Sequence, residues 1–111
     1  MEIFKYQIDN EKIPFDEWME KLRDKRAKSR IQVRLDRLLL GLFGDFKSLG
    51  DGIYELRIPE GQGYRIYYGK EGDTVVILLC GGNKSSQSSD INRAKAYWKD
   101  YKGQKDESSS L

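Results

Sequence analysis

An arginine that opens an aromatic strand and a lysine that follows a double glycine are the residues of this chain best suited to chemistry. Arg65 lies in YRIYY (64–68) and Lys84 in GGNKSSQ (81–87), with the apolar run TVVILLC (74–80) between them. Guanidinium grips an oxyanion with a planar fork of donors and stays charged, whereas ammonium contributes a compact point charge. Delivered from neighbouring elements of one sheet, the two cations could converge on a single phosphate. The polar run Ser85 to Ser89, which includes Gln87, could donate further hydrogen bonds to its oxygens.

A third cation follows from pairing that strand with its predecessor, IYELRI (53–58), across a turn holding Pro59, Gly61 and Gly63. Setting Ile58 opposite Tyr64 puts Leu56 against Ile66 and Tyr54 against Tyr68, so one face is apolar. A slip of one residue would mix the apolar and charged sets, which a half-buried sheet resists. The same register places Arg57 opposite Arg65 and Glu55 opposite Tyr67 on the second face. Like charges facing each other across strands cost roughly 0.2–1 kcal/mol. The cost of retaining both arginines is offset by Glu55 or by an anionic ligand, unless the two side chains simply splay into solvent.

The chain of 111 residues contains no histidine and one cysteine, Cys80. Ser-His-Asp and Cys-His catalysis and the usual zinc sites of nitrogen and sulfur ligands are thereby excluded. Catalysis must rest on Lys, Arg, Tyr or carboxylates. Several cations around one phosphate suit cleavage of RNA by its own 2′-hydroxyl, with Arg57 and Arg65 clamping the phosphate and Lys84 adding charge or moving a proton. Glu55 is the carboxylate on the arginine face and hence the candidate base. Tyr67 could stack on an unpaired nucleobase or donate its phenolic proton, while Tyr64 belongs to the core.

The positioning elements follow from periodicity. EIFKYQI (2–8) reads as a short strand; from Pro14 the period turns helical through Phe15, Trp18, Met19 and Leu22, with a break near Asp24. A second helix is predicted over 25–43, its stripe formed by Ile31, Leu35, Leu38, Leu39 and Leu42, with Gly44 as its stop. TVVILLC suits a strand covered on both faces, after which Gly81, Gly82 and Asn83 suggest a sharp exit from the sheet. A last helix should start near Ser88, carrying Ile91, Ala94, Trp98 and Tyr101 on one face. The reading is a single domain over 1–102 and a disordered tail over 103–111.

Apolar residues make up 38% and charged residues 34% of the chain, and the net charge is only +2. Charge is nevertheless segregated: residues 1–20 hold six acids and two bases, residues 21–37 eight bases and two acids. Lys28, Arg30, Arg34 and Arg37 fall largely off the apolar stripe and read either as an electrostatic footprint for RNA or an acidic partner or as a solvated helix face. No stretch is apolar enough for a membrane helix or signal peptide, and the lone cysteine points to a reducing cytoplasm.

The order of two helices, YELRI, GYRIYY, an apolar strand, GGNKSSQ and a closing helix with RAK-x-x-W resembles the RelE/ParE superfamily of type II toxin-antitoxin toxins. The similarity runs from about Phe4 to Tyr101 and is strongest to the HigB-like group, often called addiction module killer proteins. It implies an α+β domain in which an N-terminal helical hairpin packs on a twisted antiparallel sheet with a C-terminal helix. It also implies an endoribonuclease that cleaves mRNA, typically on the ribosome, needs no cofactor, and is neutralised by a cognate antitoxin, expected to be a helix-turn-helix protein. By the resemblance Arg57, Arg65 and Lys84 take the places of the active-site cations. Glu55 stands where RelE carries a lysine, and Asp90 lies near the position of its tyrosine. The ParE branch of the same fold instead implies inhibition of DNA gyrase, and a silent binding relative is a third alternative.

Overall fold

The computed structural model describes residues 1–9 and 12–109. Five strands form one sheet: β1 (Glu2–Lys5), β2 (Phe46–Gly50), β3 (Ile53–Ile58), β4 (Tyr64–Glu71) and β5 (Val75–Asn83), in the order β1-β5-β4-β3-β2. Three helices accompany them: α1 (Pro14–Lys21), α2 (Lys25–Leu39) and α3 (Gln87–Ser109), the last entered through a 3-10 turn at Lys84–Ser86. The α+β class and its helical elements are as the sequence suggests. One pairing differs: β1 runs parallel to β5, so an otherwise antiparallel sheet is mixed.

The sheet is covered on both faces. On one, Phe15 of α1 and Ala27, Ile31, Leu35 and Leu38 of α2 pack over Leu56, Ile66 and Leu78. On the other, Ala94 and Trp98 of α3 cover Ile53, Tyr67, Ile77 and Leu79. Each fully buried aliphatic or aromatic side chain contributes about 1.5–3 kcal/mol, so neither helical layer is dispensable. A site on this sheet must therefore lie at its end rather than on an open face.

Local chemistry explains where the helices begin and end. Pro14 occupies the first turn of α1, with Asp16 and Glu17 at its positive end. Asp24 caps α2 by accepting from the Ala27 amide at 3.0 Å. That helix stops four residues earlier than the periodicity predicts. Gly41 adopts φ +79°, and the amides of Gly41 and Leu42 bond back to the carbonyls of Leu38 and Arg37, a Schellman ending. Leu42 consequently falls outside the helix, and both it and Leu39, the last residue of α2, are exposed.

Three further features depart from the sequence reading. β2 was not foreseen; it joins β3 through a two-residue turn in which Asp51 and Gly52 both have positive φ, the primed geometry that an Asp-Gly pair favours. Gly81 and Gly82 do not turn the chain out of the sheet but belong to β5, buried, because the Trp18 ring and the Asp90 carboxylate lie where their side chains would be. Finally, α3 continues beyond Gly103, where the tail was expected to begin, with Gln104 Nε2 donating to Asp100 at 2.8 Å one turn back. Of that expected tail, residues 110 and 111 lie outside the described residues.

Candidate active site

The β3–β4 register is the one the alternation demands: Ile58 faces Tyr64, Arg57 faces Arg65 and Glu55 faces Tyr67. On the far side of β4, Arg65 pairs with Gly82 and Tyr64 with Asn83, so β5 carries the chain directly to Lys84. The Lys84 amide donates to the Gly63 carbonyl at 3.0 Å, which ties the 3-10 turn to the tip of the β3–β4 hairpin. Asn83 caps that turn, its Oδ1 accepting from the amides of Ser85 at 2.9 Å and Ser86 at 3.2 Å. The serines expected to meet phosphate are engaged here: both hydroxyls contact Asn83, and Ser86 also donates to Asp90.

Glu55 organises the cluster. It is wholly buried, and its Oε1 accepts from Arg57 Nε at 3.1 Å and stands 3.6 Å from Arg65 Nε. Its Oε2 accepts from Tyr67 Oη at 3.1 Å and Gln87 Nε2 at 2.9 Å. Burial alone would push its pKa up, but Gln87, Arg57 and Tyr67 as donors, with the Arg65 charge, outweigh it and hold the carboxyl below its ordinary value. A carboxylate saturated in this way is a weak and inaccessible base. The candidate base of the sequence reading is thus an anchor that relieves the repulsion between Arg57 and Arg65.

Arg57 is hydrogen-bonded to Glu55 at Nε, and Arg65 Nε is buried beside the same carboxylate as an ion pair without a hydrogen bond, so the outer nitrogens of both are left available. Among the described residues, the Nη atoms of Arg57 and Arg65 and Nζ of Lys84 make no hydrogen bond or ion pair. The three side chains line one groove of about 180 Å³, floored by Pro59 and Gly63 and bordered by Asp45. Arg65 is 15% exposed and Arg57 39%, so the groove graduates from a sheltered guanidinium to a solvated one. Such a cradle can bind an oxyanion and stabilise negative charge growing on it.

Other residues proposed for RNA contact stand elsewhere. Tyr67 is fully buried beneath the start of α3 and its hydroxyl is held by Glu55; burial and that carboxylate keep it well above the usual phenol range. It cannot stack on a base, because the second sheet face is core here rather than surface. Gln87 reaches the site only through Glu55. Arg34 is half-buried and donates to the carbonyls of Arg57, Phe43 and Asp45, pinning α2 to the ends of β2 and β3. Lys28 and Arg30 remain on the outer side of α2, where Arg30 pairs with Glu60 at 3.6 Å. Asp90, also buried, binds Ser86 and Arg93 and makes no contact with the groove cations.

The two-faced sheet, its closing helix and the cation-lined groove at its end define a RelE-like α+β domain. Residues 17–100 match the family described as Phage derived protein Gp49-like (DUF891), and the chain belongs to that family, a group of HigB/RelE-like toxins of the toxin-antitoxin type. A Haemophilus influenzae protein, described as an uncharacterized protein, is 55% identical over 83 residues, 75% of this chain and 84% of its own length. Membership implies an antitoxin partner. No helix of the described residues is long and apolar enough to cross a membrane.

Proposed function

We propose that this toxin is an endoribonuclease that cleaves mRNA, using the ribosome to present its substrate in the cytoplasm. The observation that carries the reading is the convergence of Arg57, Arg65 and Lys84 on one groove with their outer nitrogens unengaged. In the reaction the RNA 2′-hydroxyl gives its proton to water as its oxygen attacks the adjacent phosphorus, the bond to the 5′-oxygen breaks, and a 2′,3′-cyclic phosphate forms as the 5′-oxygen takes a proton from water. Arg57 and Arg65 fork onto the non-bridging oxygens, where charge accumulates, and Lys84 adds a third positive charge. Glu55 keeps the guanidinium pair in register and takes no proton. Orientation of the 2′-oxygen in line with the leaving group supplies much of the acceleration, and the ribosome contributes that order.

A translation reaction with purified protein tests this. Wild type should cut mRNA, Arg65→Ala should lose at least about a hundredfold in rate, as removal of a transition-state donor does, and the exposed Lys99→Ala should cut normally. Intact mRNA together with blocked gyrase supercoiling would replace the nuclease reading with gyrase inhibition. Neither activity would leave a binding protein.

A further inference from the structure

A second groove, of about 350 Å³, lies between α2 and the end of β3. Its walls are Arg30, Val33 and Arg37 on one side and Ile58, Pro59 and Glu60 on the other. Ile58 and Pro59 also line the groove that holds Arg57, Arg65 and Lys84, so the two hollows adjoin along that dipeptide. We infer that the α2 groove is the binding track for the RNA chain flanking the scissile phosphate, an inference that rests on the nuclease reading above.

The composition fits single-stranded RNA. Arg37 is exposed and, among the described residues, has no carboxylate partner, while Arg30 is 65% exposed and pairs with Glu60 alone. Both can turn to a phosphate without vacating a structural role. Arg34, whose side chain also borders the groove, is fixed on backbone carbonyls and serves as its rigid floor. Val33, Ile58 and Pro59 offer an apolar surface on which an unpaired base can lie between two phosphate contacts. Glu60 occupies the mouth, 3.6 Å from Arg30 and 3.7 Å from Arg26, and stands where an anionic chain would compete for the same guanidinium groups. The segregation of bases in 21–37 thus acquires a direction, leading along α2 into the catalytic groove.

The test uses full-length protein and two RNAs made uncleavable by 2′-O-methylation, a trinucleotide that fills the central groove and a dodecamer that overruns it. Affinity is read by fluorescence anisotropy from 50 to 200 mM KCl. For single strands each phosphate contact adds about 0.7 to the salt slope, so losing two in Arg30→Gln/Arg37→Gln should flatten the dodecamer slope by about 1.4. Over that fourfold salt range wild type should lose about sevenfold more affinity for the dodecamer than the variant does. Trinucleotide binding should not change. Glu60→Gln should tighten the dodecamer alone, and Lys95→Gln/Lys99→Gln should behave as wild type.

A dodecamer slope equal to wild type in the double variant overturns the inference while leaving mRNA cleavage by wild type to uphold the nuclease reading. So does an equal loss for both RNAs, which would mean that α2 shapes the central groove. No measurable dodecamer binding by wild type also overturns it. A slope equal to wild type accompanied by weaker binding of the cognate antitoxin would assign the groove to that partner instead.

Discussion

Replacing Glu55 with glutamine separates an anchoring carboxylate from a catalytic base. Three donors bond Glu55, Arg57 on Oε1 and Tyr67 and Gln87 on Oε2, while Arg65 Nε stands 3.6 Å from Oε1 as an ion-pair neighbour. An amide keeps one acceptor oxygen and turns its NH2 on the other side, so it loses either the Arg57 bond or those from Tyr67 and Gln87, and in both orientations the charge that faces Arg65. Hydrogen bonds to a charged group contribute about 1.5–3 kcal/mol each, and the isostere should therefore cost about 3 kcal/mol. In a domain of this size each kcal/mol moves Tm by about 4–8 °C, which puts the expected loss at about 12–24 °C at pH 7. The pH dependence carries the sign. Because the folded pKa lies below the ordinary 4.5, Glu55 stabilises fully above that value and loses its contribution as pH falls through the folded pKa. The Tm gap between wild type and Glu55→Gln should be widest at neutral pH and shrink below about pH 4.5. Thermal denaturation from pH 3 to 8, paired with the pH profile of cleavage, reads both properties. A variant as stable as wild type, but inactive with one limb of the pH profile removed, would refute the anchor and restore Glu55 as the base.

Other substitutions probe how the groove is held. Arg34→Ala deletes three bonds to the carbonyls of Arg57, Phe43 and Asp45 and should cost about 3 kcal/mol in chemical denaturation, since each bond from a charged donor is worth about 1.5–3 kcal/mol and water recovers part of the loss. Gly82→Ala sets a Cβ 2.6 Å from Asp90 Cγ, a buried carboxylate with no room to retreat, and should destabilise by about 1–3 kcal/mol as overpacking does, visible as a lower Tm. Burial pushes the Cys80 thiol up to about 12, so it should resist a thiol-reactive dye at pH 8 and react once the protein is unfolded in urea.

Legibility in the sequence followed the strength of local pattern. The β3–β4 register could be read because only one alignment keeps Leu56, Ile58 and Ile66 on a common face, and with it came the Arg57–Arg65 pair. β2 could not be read from alternation, because Phe46–Gly50 is short, forms a sheet edge and has largely exposed side chains; the Asp51-Gly52 pair was the available signal. The burial of Tyr67 was hidden for another reason. A strand pair fixes which residues share a face but not what covers that face, and α3 begins only at Gln87, well beyond the pair. Arg34 illustrates the same limit, since its spacing on α2 looks like that of any solvated arginine and its carbonyl partners come from β3 and the segment leading into β2.

What tertiary structure adds is a division of labour among like charges. Four charged residues occupy the β3–β4 face and the turn beyond β5, and composition alone treats Arg57, Arg65 and Lys84 as equivalent cations with Glu55 as their possible reactive partner. Burial breaks that equivalence. Glu55 lies beneath the groove, so it bonds Arg57 at Nε, sets its charge beside Nε of Arg65 and leaves the outer nitrogens of both toward solvent. Because Gln87 donates to the same carboxylate, the first residue of α3 and the strand arginines share one anchor. Lys84 is three residues upstream on the turn that Asn83 caps, and its position relative to the arginines is therefore coupled to the seating of α3. Any partner that lifts the start of α3 would disturb Gln87, Glu55 and the guanidinium pair together, so the groove can be disabled without being covered.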